Sequence, residues 1–172
     1  KLSGAASYKI DTGGPSARAV LPGTYDGATE EDQVFLVATN VQPNRQSVAA
    51  QGYCAVDGLG EKIALDVLGP GVAPKLIADL GADNWNLRNF LEEGGFPAEV
   101  SASASERAAA YQNVVAVKCR RPLPPGRDVA LVWGGSIAGK DGRLAGRDQR
   151  FDFTVRKEFS ARFECGRVNP RA

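Results

Sequence analysis

The sequence predicts an Ig-like antiparallel β-sandwich that carries one helical insertion. Three observations predict it. Seven or eight short apolar or alternating segments recur along the chain, separated by Gly, Pro and Asp-Gly turn signals. One stretch, about residues 72–100, switches to helical spacing and back. Nothing follows the regular strand-helix alternation of a parallel sheet. At 172 residues the chain holds one domain with short extensions.

The elements follow in order. Ser16-Ala17-Arg18-Ala19-Val20-Leu21 is a strand that stops at Pro22. Gln33-Val34-Phe35-Leu36-Val37-Ala38-Thr39 is a short apolar run behind Glu30-Glu31-Asp32, as expected of a buried strand entered from a loop. Ser47 to Val56 alternates loosely, reads as β and ends at the turn dipeptide Asp57-Gly58. Lys62 to Leu68 is the next strand and ends at Gly69-Pro70-Gly71. In the insertion, Pro74 can start a helix, and Leu76, Ile77 and Leu80 fall at helical spacing. Asp83 or Asn84 caps a second helix with Leu87, Phe90 and Leu91 on one face, stopped by Gly94-Gly95. These six apolar residues should cover the sandwich, because exposed they would invite aggregation. Trp85 would pack the insert down. Ser101 to Ser105 reads as a small-residue loop. Gln112 to Lys118, Asp128 to Trp133 and Arg150 to Val155 are the remaining strands, with a Gly-rich connection over 134–146. Trp133, closing an apolar strand, belongs in the core.

The two chain ends resemble one another. Ser16-Ala17-Arg18 opens a strand after Tyr8-Lys9-Ile10-Asp11 and a Gly13-Gly14-Pro15 break; Ser160-Ala161-Arg162 follows Phe151 to Val155 and a second break. The triplets lie 160 − 16 = 144 positions apart, about one domain length. The expectation is one module of a tandem array. Residues 1–15 would end a preceding module or linker, 16–157 form the sandwich, and 158–172 start the next module.

Composition narrows the chemistry. The chain is 43% hydrophobic and 24% charged, with 21 basic and 20 acidic residues and no basic stripe, which argues against a nucleic-acid partner. No apolar run approaches the ~18 residues that cross a bilayer, so no membrane contact is expected of this stretch. There is no histidine, which removes the commonest general base and every Ser-His or Cys-His pair. No catalytic, cofactor-binding or metal-binding constellation emerges, so no enzyme and no cofactor are expected. Gly134-Gly135-Ser136-Ile137-Ala138-Gly139-Lys140 has phosphate-loop spacing. It fails at Asp141, where Ser or Thr should hold magnesium, and no helix pattern follows. The acidic neighbours Glu30, Glu31, Asp32 and Glu92, Glu93 read as solvated edges, since strand neighbours point to opposite faces. Asp148 and Asp152 lack the spacing of a calcium loop. Cys54 and Cys119 both sit in strand-like segments. In an oxidising compartment they would staple two strands; reduced, they would be two small apolar core side chains. Cys165 is the odd one, unpaired within these 172 residues.

Five stretches carry a family resemblance. They are Tyr25-Asp26-Gly27, Glu30 to Asn40, Tyr53 to Lys62, Cys119-Arg120-Arg121-Pro122-Leu123-Pro124-Pro125-Gly126, and Gln149 to Lys157. Together they resemble the N-terminal region of bacterial alpha-2-macroglobulins. The resemblance implies a macroglobulin-like sandwich module of a periplasmic protease trap whose parent is anchored to the inner membrane. Its partners would be neighbouring modules of the same chain and, through the full-length parent, trapped proteases. The family's thioester motif, Cys-x-Glu-Gln, is absent: the three cysteines are followed by Ala55-Val56-Asp57, Arg120-Arg121-Pro122 and Gly166-Arg167-Val168. The implied periplasmic setting favours the Cys54–Cys119 bridge. The rival reading is an Ig-like surface module for adhesion or carbohydrate binding, which would show exposed aromatics on one face or a loop-end calcium site.

Overall fold

The computed structural model describes residues 13–96 and 103–163. Seven strands form one antiparallel sheet that folds over on itself. They are β1 (Ala17–Leu21), β2 (Val34–Thr39), β3 (Tyr53–Val56), β4 (Lys62–Val67), β5 (Val114–Cys119), β6 (Asp128–Trp133) and β7 (Gln149–Thr154), in the order β1-β2-β5-β4-β3-β6-β7. β4 makes the fold-over. Its first half, Lys62 to Ala64, pairs with Ala55 to Tyr53 of β3; its second half, Leu65 to Val67, pairs with Cys119 to Val117 of β5. The result is a nearly closed sandwich with one leaf of β1, β2 and β5 and another of β3, β6 and β7.

Two apolar layers explain the strand sequences. Between the leaves lie Phe35 and Val37 of β2, Val115 and Val117 of β5, Leu131 and Trp133 of β6, and Phe153 of β7. The rings of Phe35 and Phe153 meet at 4.9 Å. The alternate residues Leu36, Ala38, Val114 and Ala116 point to the other side of the first leaf. There they meet α2 (Val72–Leu80) and α3 (Trp85–Gly94) through Ala73, Ile77, Leu87, Phe90 and Leu91. A leaf covered on both faces cannot show polar alternation, so β2 and β5 read as unbroken apolar runs. β7 has one wet face and alternates. In β1 the parity shifts: Ala17 and Val20 face the inner layer, while Ala19 and Leu21 face the helices. A bulge between Ala17 and Ala19 produces that shift.

The insertion packs as its spacing predicts except at Leu80. Ile77, Leu87, Phe90 and Leu91 are buried, Leu76 is partly buried against them, and Leu80 at the end of α2 stays 43% exposed. The Asn84 side chain accepts from the Leu87 N–H, and Gly95 closes α3 in the left-handed region at φ 76°. Three readings are corrected. Ser47 to Gln51 is not strand but part of α1 (Arg45–Gln51). The Asn44 carboxamide caps it, accepting from Gln46 and Ser47 at 3.0 and 3.1 Å, and Val48 is the buried residue of the helix. The small-residue stretch expected to be loop enters α4 (Ala104–Ala110). Ser103 caps its start: the Glu106 N–H donates to Ser103 Oγ, and the Ser103 hydroxyl donates to the Glu106 carboxylate. Trp85 is 65% exposed, because α3 buries the stripe of Leu87, Phe90, Leu91 and Gly94 and leaves position 85 outside it.

Candidate functional site

Two ends of the sandwich carry the chain in and out. At one, here the amino end, the Gly14 N–H donates to Leu144 O at 3.0 Å and the buried Trp133 Nε1 donates to Pro15 O at 2.6 Å. Asn40 N–H donates to Ser16 O beside them. At the opposite, carboxyl end, Val155 N–H donates to Arg127 O and Arg156 N–H to Thr29 O, both at 2.8 Å. The turn over 23–27, the β3–β4 turn and the loop after β5 gather around this point. Leu123 N–H donates to Glu31 O and Asp57 N–H to Asp128 O, each at 2.9 Å. The chain therefore runs through the module from end to end.

The leaves are clamped at the carboxyl half. Cys54 of β3 and Cys119 of β5 form a disulfide with their Cα atoms 5.9 Å apart, closing a loop of 65 residues. It joins the two leaves across the inner layer, where both cysteines are buried. Cys165 and Tyr8-Lys9-Ile10-Asp11 lie outside the described residues.

Among the described residues, the two edge strands of the sheet, β1 and β7, face each other across a seam. It is closed by a side chain. Gln149 accepts from the Ala17 N–H through Oε1 and donates to Ala17 O through Nε2, both at 2.8 Å. The amide thus imitates a paired backbone residue. The bulge beyond Ala17 and Pro22 after β1 deprive the rest of this edge of a regular ladder. Beyond Gln149 the seam opens into a groove of about 720 Å³ flanked by Arg18, Tyr25, Trp85, Asn89, Glu93 and Phe151. Tyr25 is 99% exposed on a turn fixed by Asp26, whose carboxylate accepts the Gly23 N–H at 2.6 Å. The Arg88 guanidinium stands 5.5 Å over the Trp85 ring.

The Gly-rich connection is a packed hairpin rather than an anion cradle. Ile137 is fully buried in the inner layer, and Ala138 bridges Leu144. Asp148 Oδ1 accepts the Gly135 N–H at 2.6 Å, so a carboxylate holds the place an anion would need. A Cβ at Gly134 would stand 2.3 Å from Gln51 O, which explains a glycine there by contact alone. Glu30, Glu31, Asp32, Glu92 and Glu93 are all exposed. Glu30 pairs with Arg156 at 3.0 Å, a surface pair of little energetic weight. Among the described residues, no three His, Cys, Asp or Glu side chains gather as a metal site, and no helix is long and apolar enough to cross a membrane.

Sequence reasoning found the cysteine pair and the core tryptophan. It missed the groove lined by Tyr25 and Trp85, because the two are sixty residues apart and are brought to one groove only by the packing of α3 on β1.

No family model matches the chain, and no curated protein matches it. Among solved structures, the S-layer protein SbsC aligns with a TM-score of 0.43 at 13% identity, over 86% of this chain and 14% of that one. The N-terminal part of the same bacterial S-layer protein aligns at 0.43 and 14% identity, over 86% of this chain and 25% of that one. The native conformation of E. coli alpha-2-macroglobulin aligns at 0.36 and 9% identity, over 83% of this chain and 6% of that one. The chain thus spans a quarter or less of each. At these scores the neighbours carry no argument about function.

Proposed function

We propose that the chain is a structural and interaction module of a bacterial alpha-2-macroglobulin, a periplasmic protease-trapping inhibitor anchored to the inner membrane through its parent. The module itself is not an enzyme. What supports the reading is where the five matching sequence stretches fall. Tyr25 to Gly27, β2 with its approach, β3 with the turn after it, the loop from Cys119 to Gly126 and the whole of β7 belong to the framework of the sandwich and its turns. A likeness carried by strands and turns, with no reactive motif in it, suits a scaffold part whose role is contact with a neighbour. The disulfide between leaves suits an oxidising compartment. A trap needs a bait segment and several modules to close on a protease; a sandwich of this size contributes spacing and contacts. The test uses the isolated chain with a serine protease at equimolar and tenfold excess. Hydrolysis of casein and of a small peptide should be unchanged. Stoichiometric inhibition by the isolated chain would contradict the scaffold role and point to a direct binding loop, the Gly134–Gly146 connection first.

One observation favours the second reading, an adhesion or carbohydrate-binding module. Tyr25 and Trp85 are exposed aromatics lining one groove with the planar polar side chains of Arg18 and Asn89. A change in tryptophan fluorescence on adding neutral oligosaccharides, lost in Trp85→Ala, would support it. No change in the native chain removes it.

A further inference from the structure

We infer that the free edge of β7 is a docking site for an extended segment of another polypeptide, which adds as a strand and carries basic side chains. The pairing of β6 with β7 fixes which backbone groups are free. Val155 N–H donates at 2.8 Å to the carbonyl of Arg127, the residue ahead of β6, so Val155 bonds toward β6. Bonded pairs alternate in an antiparallel ladder, and the register Val129↔Phe153, Leu131↔Phe151 continues the bonded set. The N–H and C=O groups of Arg150, Asp152 and Thr154 therefore point away from β6, toward the seam. Thr154 bears this parity out, since its C=O accepts the Thr29 N–H at 2.9 Å. The seam is thus pinned at both ends, by Thr29 on Thr154 and by Gln149 on Ala17. Between the pins, the backbone groups of Arg150 and Asp152 have no hydrogen-bond partner among the described residues. Their side chains do not block the edge. They stand on the wet face of β7, paired to each other at 2.7 Å and each more than half exposed.

A slot lies alongside this edge. Thr24, Tyr25 and Gly27 of the turn over 23–27 line both the groove of about 720 Å³ beside Phe151 and a second hollow of about 360 Å³ beside Asp152 and Thr154. Together the two follow the open stretch of β7. The facing strand does not fill it, because the bulge after Ala17 and Pro22 break the ladder of β1. Backbone N–H and C=O groups at strand spacing are matched by a polypeptide in extended form, which repeats them at the same interval; a saccharide does not. Charge selects the side chains. Four carboxylates, Asp26, Glu93, Asp128 and Asp152, line the two hollows against one cation, Arg18. Arg18 is turned toward the C-terminal end of α3, where a Cβ on Gly95 would stand 3.2 Å from its Nη1 and the helix dipole favours a cation. An added strand sets every second side chain beside Asp152 on the wet face. Lysine or arginine there gains a carboxylate, and a basic side chain that reaches Tyr25, 99% exposed, gains its ring face.

The test is amide hydrogen exchange by NMR on the 172-residue chain. It is run free and with a pool of seven-residue peptides that carry Lys or Arg at alternate positions between Val, Thr and Tyr. In the free chain the amides of Arg150 and Asp152 should exchange many-fold faster than those of Phe151 and Phe153, which bond to β6. Slow exchange at both already in the free chain would show an occupied edge and overturn the inference. The basic pool should slow these two amides several-fold; no slowing at saturating peptide would overturn it as well. A pool with Glu in place of Lys and Arg should protect neither, and equal protection by that pool contradicts charge selection. Asp152→Pro removes an N–H that faces the seam and leaves the β6 ladder whole, a place where an edge strand takes proline. It should abolish the protection of Arg150, whereas Asp152→Ala should only weaken it. Protection of Arg150 that survives the proline would contradict strand addition, and the exchange data on the native chain decide the matter if the proline variant does not fold. Tryptophan quenching by neutral oligosaccharides, with no amide protected by peptide, would give the groove to a saccharide and overturn the peptide. Protection that grows with the concentration of the chain alone would make the occupant a second copy and overturn a basic partner. None of these outcomes depends on whether the parent traps proteases.

Discussion

At the scale of single residues, three side-chain links hold what the backbone alone would leave open. The Cys54–Cys119 bridge fastens leaf to leaf, Trp133 fastens the incoming chain through its indole N–H, and Gln149 closes the seam at Ala17. Closing a loop of 65 residues is worth about 4 kcal/mol in the chain-entropy model. Cys54→Ala with Cys119→Ala should therefore lower the melting temperature by on the order of ten degrees. Thiol titration of the denatured, unreduced native chain should give one free thiol of the three cysteines in the sequence. Three free thiols would show that the bridge does not form. Gln149→Ala should cost about 1–3 kcal/mol, since it leaves the buried Ala17 N–H and C=O without their partner. Gln149→Glu should recover little, because a carboxylate cannot donate to Ala17 O. The cysteine pair was legible in the sequence as two strand cysteines with two outcomes. The role of Gln149 was not, since nothing at position 149 signals a contact 132 residues away.

At the scale of elements, the pattern of legibility follows from what each element packs against. α3 was readable because its stripe meets one continuous apolar surface, the outer face of β1, β2 and β5. Phe90→Ala should cost about 3 kcal/mol or more by calorimetry, as large-to-small changes in a filled core do. A melting temperature unchanged within error would mean that the stripe does not bear on the sheet. α1 was misread because a seven-residue helix with a single buried residue, Val48, shows too few apolar positions to set a period. Its signal was the cap: Asn44→Ala should cost about 1 kcal/mol. α4 was misread for a related reason. Ser103 and Glu106 have the spacing of a capping box, but the Ala-rich run behind them offers no apolar stripe to mark a helix.

At the scale of the whole molecule, the sandwich and its insertion follow from strand count, turn signals and the one change of period. The direction of the chain through the module does not. That direction depends on which loops share an end, and it emerges only from long-range ties such as Gly14 to Leu144 and Arg156 to Thr29. The role proposed for this module is to serve a protease trap by holding its neighbours, without reactive chemistry of its own. The most direct measurement incubates a protease with excess full-length parent and compares residual activity on casein with that on a small peptide. Casein hydrolysis should fall steeply while peptide hydrolysis largely persists, because an enclosed protease keeps its active site. Undiminished casein hydrolysis would contradict the trap and leave the adhesion module as the better reading.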